Sequence, residues 1–220
     1  MPEPAVFILI SLGALAVVGG ALYLSRIAEQ KRSAALADVA LRMGFTYLAQ
    51  IPEEQLEALG TFHLFKRGHS RRARNLMRGK SGDVEVVLLD YQYTTGGGKD
   101  SHTWQQTVAV YPGASGLPEF ALAPEHIWQK IGSLLGYQDI DFEASEEFSK
   151  RYVLRGPDET AIRTAFGAEA LGFFAQSLGW SVESHGGALA VYHSGRRCKP
   201  EEIQPFVADA AGARRALVRR

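Results

Sequence analysis

The chain has 220 residues, of which 22% are charged, and its 24 basic and 24 acidic side chains cancel to a net charge of zero. That length, less a short apolar segment, suits one ordinary domain and not comfortably two, and a domain of this size buries enough surface to need no staples. The lone Cys198 excludes an intrachain disulfide and reads as an inert thiol.

Ala5 to Leu24 carries no charge, and eleven of its twenty positions are Val, Phe, Ile or Leu. Twenty helical positions reach roughly 30 Å, the thickness of a hydrocarbon core, which predicts a transmembrane helix behind a four-residue tail. Arg26, Lys31 and Arg32 follow this run, whereas residues 1–4 hold no Lys or Arg. The positive-inside rule then puts the remainder on the cytoplasmic side of the inner membrane, as a single-pass protein. A secreted or lipoprotein-like domain would require the run to be cleaved, but a signal peptide wants its basic residues ahead of the apolar stretch. Ala16 and Gly20 stand at small-xxx-small spacing, which would let two such helices pair in a homodimer.

Residues 25–44 read as a helical stalk: Leu36, Val39, Ala40 and Met43 recur at the 3.6-residue period, and Gly44 is placed to end it. The soluble domain then runs over residues 45–220. Phe45 to Leu48 predicts a short strand, and Pro52 with Glu53 and Glu54 opens a helix that Gly60 closes. Val84 to Tyr93 and Thr103 to Tyr111 are rich in β-formers, joined by the Gly-rich stretch Thr94 to Ser101. Both faces of the first strand are apolar, as in a central strand. A strand at Phe120 to Leu122 leads to a helix begun by Pro124 and Glu125 and ended by Gly136. Tyr152 to Leu154 is a further strand, followed by helices over 158–166 and 169–178. Trp180 to Glu183 and Leu189 to Tyr192 form a hairpin across Gly186-Gly187, and a last helix opens at Pro200. The expected class is α+β: an N-terminal transmembrane helix, then one domain with a mainly antiparallel sheet and packed helices.

Charge is segregated along the chain. Lys66, Arg67, Arg71, Arg72, Arg74, Arg78 and Lys80 occur without an intervening acid, while acids outnumber bases eleven to three over residues 81–150. The basic run either lies as a solvated strand edge or loop paired with the acidic middle, or contacts an anionic surface such as lipid. Nucleic acid is not the expected partner, since no aromatic platform or recognised motif accompanies the charges. Asp139, Asp141 and Glu143 alternate, so an extended backbone would aim three carboxylates to one side, where they could hold a divalent metal or act as acid and base. Their flanks match no calcium loop, and an Arg-paired or solvated face is the plainer reading. Thr94 to Lys99 lacks the Walker spacing and precedes a strand, which makes it a hairpin tip and not a phosphate loop. The six histidines are scattered, and Ser101 with His102 forms no triad.

The strings FHLFKRGHSRRARNLMRG, LLDYQYTTGGGKDSHTWQQTV, LPEFALAPE, GYQDIDFE and FSKRYVLRGPDETAIRTAF resemble a family of uncharacterised bacterial membrane proteins. The resemblance implies an anchor and one soluble domain, with no activity, cofactor or site residue to transfer. The expectation is therefore a membrane-tethered, cytoplasmic, non-enzymatic interaction or scaffold domain, touching anionic lipid or another protein through the basic run. The competing expectation is a membrane-surface enzyme using Asp139, Asp141 and Glu143 with a metal.

Overall fold

The computed structural model describes residues 4–131, 137–143 and 145–218, with the backbone alone for residues 4–11, 14, 53, 56, 58 and 129–131. A long helix α1 (Pro4–Arg42) leads into strand β1 (Thr46–Gln50), and α2 (Glu53–Leu59) follows it. Three long strands come next: β2 (His69–Ser81), β3 (Val84–Thr95) and β4 (His102–Tyr111). Then come β5 (Phe120–Pro124), α3 (Glu125–Ile131), α4 (Glu146–Ser149), β6 (Tyr152–Arg155), α5 (Glu159–Ala165) and α6 (Ala168–Gln176). The hairpin β7 (Trp180–His185) and β8 (Ala188–His193) precedes the final helix α7 (Ile203–Leu217). The expected end of the helix over 124–136, at Gly136, lies outside the described residues.

All eight strands join one sheet in the order β1-β2-β3-β4-β8-β7-β5-β6, and the paired strands run antiparallel. The antiparallel α+β core of the expectation is thus present. The basic run is the element that sequence patterning left open. It forms most of β2, a 13-residue strand between β1 and β3. Two bulges break its register, between His69 and Arg72 and between Arg74 and Met77. At the second, Asn75 sits at φ +55°, a left-handed conformation that Asn tolerates better than most residues. The bulge shifts the phase of the strand, so that Arg74 and Asn75, neighbours in sequence, both lie on the Asp90 side of the sheet.

A sheet of this length has two faces to cover, and each is covered by its own core. On one face the C-terminal half of α1 (Leu36, Val39, Ala40) packs with Val86 and Leu88, α6 and α7. Phe45 lies over Gly79, where any Cβ would meet the ring. On the other face Phe62, Leu64 and Phe65 join Val87, Leu89, Tyr91 and Tyr93 of β3 and Trp128 of α3. Strand β3 contributes alternate side chains to the two cores over its first half, and on the α1 side gives way to Asp90 and Gln92.

The N-terminal prediction requires correction. Among the described residues no helix is long and apolar enough to cross a membrane. The side chains of Ala5 to Ser11 lie outside the described set, and from Arg26 onward the helix is charged. The transmembrane helix over 5–24, with Ala5 and Leu24 as its ends, is therefore withdrawn. With it go the single-pass inner-membrane location, the membrane as a partner and the helix pairing at Ala16 and Gly20. What stands is a helix whose Leu12, Leu15, Val17, Val18, Leu22, Tyr23 and Leu24 are exposed and whose C-terminal half, from about Arg32 onward, is docked on the sheet.

A candidate anion-binding cleft

Asp90, on the α1-facing side of β3, is 7% exposed, and a buried carboxylate persists only if its oxygens are bonded. Arg32 of α1 grips it bidentately, Nε to Oδ2 at 2.9 Å and Nη2 to Oδ1 at 2.8 Å. Thr107 of β4 donates to Oδ1 at 3.0 Å, while Asn75 of β2 (2.9 Å) and Arg197 (3.1 Å) donate to Oδ2. Arg197 also donates to Glu29 of α1 at 2.5 Å. Asn75 in turn accepts from the hydroxyls of Ser33 and Tyr47, each at 2.8 Å. One carboxylate thereby ties the helix, three strands and the segment after β8 together. Burial alone would raise the Asp90 pKa, but the Arg32 hydrogen bond and the charges of Arg197 and Arg32 hold it below the ordinary aspartate value. The same balance of burial against Arg197 lowers Glu29.

Above this hub, α1 and the sheet diverge and leave a cleft of about 520 Å³. Arg26, Arg72, Arg74 and Arg197 line it with Glu29, Asp90, Gln92 and Gln105. Antiparallel register sets the array, because Arg72 lies opposite Gln92, Arg74 opposite Asp90, and Gln92 opposite Gln105. Four arginines against two carboxylates leave the lining with a net charge of +2. Among the described residues no ion pair engages Arg26, Arg72 or Arg74. Both carboxylates of the lining are already bonded, whereas Arg26, Arg72 and Arg74 line the same cleft without an ion pair among the described residues.

The other expected site residues are dispersed. Arg67 leaves the surface: 3% exposed, it pairs with Glu183 of β7 at 3.1 Å on the opposite face of the sheet. Glu183 also accepts from the Leu64 amide at 3.0 Å and from the Tyr192 hydroxyl at 2.8 Å. Burial pushes the Tyr192 pKa up, so the phenol stays protonated as a donor. Arg71 donates to the Phe65 carbonyl, Arg78 pairs with Glu85 at 3.7 Å, and Lys66 and Lys80 are exposed on other parts of the surface.

The carboxylate trio does not form a site. Residues 139–143 alternate in exposure without forming a strand, and Asp139 is taken up by the backbone of β6. Asp139 accepts from the Leu154 amide at 3.0 Å, Ile140 and Phe142 between the acids fill the core, and Asp141 and Glu143 face solvent. Among the described residues no group of three His, Cys, Asp or Glu could hold a metal ion. The metal-using enzyme is accordingly excluded as the reading of these acids. A larger cavity, about 650 Å³ beside α5 and α7, offers fewer polar groups. Of its acids, Asp158 caps α5 through the Ala161 amide and Glu119 lies 3.3 Å from His185.

No protein-family model and no curated protein matches the chain. Among solved structures it is similar to the mycobacterial trehalose monomycolate transport factor A, with a TM-score of 0.61 and 12% identity over 84% of this chain and 93% of that one. Identity that low establishes a shared fold. The resemblance to an uncharacterised family of membrane-anchored proteins is corrected by these findings: no family model supports it, and the structural likeness is to a protein described as a transport factor.

Proposed function

We propose that this protein is a non-enzymatic accessory factor of transport, which receives the polar head of its cargo in the cleft between α1 and β2–β4. The observation that carries this reading is the convergence of Arg26, Arg72 and Arg74, free of ion pairs, on one cavity walled by hydrogen-bonded carboxylates and amides. Such a set binds polar groups through charge-assisted hydrogen bonds. It offers no nucleophile held by a base, the arrangement that covalent catalysis needs. The fold likeness to a factor for the transport of a sugar-bearing lipid supports cargo of that general kind.

The full chain labelled with ¹⁵N is titrated with trehalose and, separately, with glucose 6-phosphate. Saturable amide shifts centred on Arg74, Gln92 and Gln105 are expected with at least one of them. An Arg72→Glu, Arg74→Glu double variant should lose the shifts while unfolding within about 0.5 kcal/mol of wild type, as exposed substitutions usually do. Absence of saturable shifts with both probes would overturn the reading.

A further inference from the structure

We infer that the cleft is selective for a phosphate monoester, carried on a sugar or comparable head group. This rests on the cleft being the binding site, and it adds the chemical class of the ligand. The first ground is charge. The lining has a net +2, and its carboxylates are occupied: Asp90 by Arg32, Asn75, Thr107 and Arg197, and Glu29 by Arg197 and Asn75. Counting Arg32, which neutralises Asp90 from behind, the surplus is +3, and a phosphate monoester with about 1.5 to 2 negative charges near neutral pH meets more of it than a single carboxylate can.

The second ground is direction. Arg26 approaches from the helix, Arg72 and Arg74 from β2, and Arg197 from the segment after β8. A phosphate monoester presents three acceptor oxygens around a tetrahedral centre, where a carboxylate presents two in one plane. Donors arriving from three elements suit three oxygens on a tetrahedral centre. Gln105 donates to Gln92 at 3.2 Å, which fixes the Gln92 amide and leaves its N–H groups as neutral donors at the rim. The third ground is size, for a 520 Å³ cleft exceeds a bare oxyanion by far and leaves room for the group that the phosphate esterifies.

The test compares glucose 6-phosphate with glucose, inorganic phosphate and sulfate by calorimetry on the full chain. The sugar phosphate should bind at least tenfold more tightly than glucose. Its affinity should rise about tenfold from pH 5 to pH 7 as the second phosphate proton, with a pKa of about 6, leaves. The groups facing the ligand are Arg26 and Glu29 of α1, Arg72 and Arg74 of β2, Asp90 of β3 and Arg197, with Arg32 behind Asp90, and no histidine lines the cleft. Asp90 and Glu29 both titrate below their ordinary values, so the protein side keeps its charge through that window. Sulfate, doubly charged at both pH values, should show no such rise.

Arg72→Gln and Arg74→Gln should each weaken the sugar phosphate roughly tenfold, the equivalent of one charged hydrogen bond. Glucose binding as tightly as its phosphate would overturn the phosphate assignment and leave the cleft intact as a site. Failure of every probe would remove both. Phosphate binding that is indifferent to both glutamine variants would locate the anion elsewhere and overturn the assignment. Inorganic phosphate matching the ester would make the free ion, and not a head group, the ligand.

Discussion

Two arginine–carboxylate clusters lie back to back on the same sheet and do different work. On one face Arg67 and Glu183, 3% and 2% exposed, are closed in by Phe62, Leu64, Tyr93 and Tyr192. On the other, Asp90 is equally well bonded, but it lines a cleft together with Arg26, Arg72 and Arg74, which make no ion pair among the described residues. The first cluster balances its one pair of charges and is closed to solvent. The second neutralises its carboxylates and has positive charge left over. Residual charge beside a cavity, and not the number of charged residues, separates a binding surface from a buried strut.

Removing one partner from the closed cluster should have the largest effect. Arg67→Ala strands a carboxylate in the core and is expected to cost about 3–5 kcal/mol in urea unfolding. An Arg67→Met, Glu183→Leu pair should recover most of that loss, because a buried ion pair barely outweighs its own desolvation. If the pair of substitutions were as damaging as the single one, the cluster would have a role beyond packing.

Asp90→Asn should cost less, about 2–3 kcal/mol, since Arg32 and Arg197 keep access to solvent at 14% and 22% exposure. The same site predicts a pH dependence. Asp90 has a folded pKa below its unfolded value near 3.8, so its contribution is complete above about pH 5 and is lost as pH falls through the folded value. Wild type should therefore lose stability below pH 4 by a component that Asp90→Asn lacks, measured as midpoints in urea at pH 2.5 and pH 6.

The smallest effect belongs to the acidic segment that belongs to neither cluster. Asp141→Asn should shift stability by less than about 0.5 kcal/mol and leave thermal melts with or without Mg²⁺ unchanged, because its side chain faces water. A metal-dependent melt would restore a third charged site to the comparison.

Much of the scaffold was legible in residue order. Alternating β-formers marked β3 and β4, Gly186-Gly187 marked the β7–β8 turn, and Gly44, at φ +70°, marked the end of α1. The cleft was only half legible. Arg72 and Arg74 stand out as part of a charge run, but the run also contains Arg67, which turns inward, and Arg78, which pairs across to Glu85 of β3. Asn75 gave no signal at all, because its role depends on a bulge that shifts the phase of β2 mid-strand. Asp90 lay unremarked in an apolar strand, although a lone acid at an inward position of a central strand is itself a sign of a buried partner. The uncharged N-terminal run reads as a membrane span on composition, yet among the described residues no helix is long and apolar enough to cross one.

Residue order alone thus determined which segments extend, which coil and where they turn, since those choices rest on backbone sterics and on apolar periods within a few neighbours. The tertiary structure decided which charges meet. Arg32 reaches Asp90 across 58 positions and Arg197 reaches it across 107, and the pairing that places them exists only once α1 lies on the sheet. Burial then fixes the outcome, because a carboxylate withdrawn from water must be matched by donors, whereas a guanidinium left at the edge of a cleft need not be.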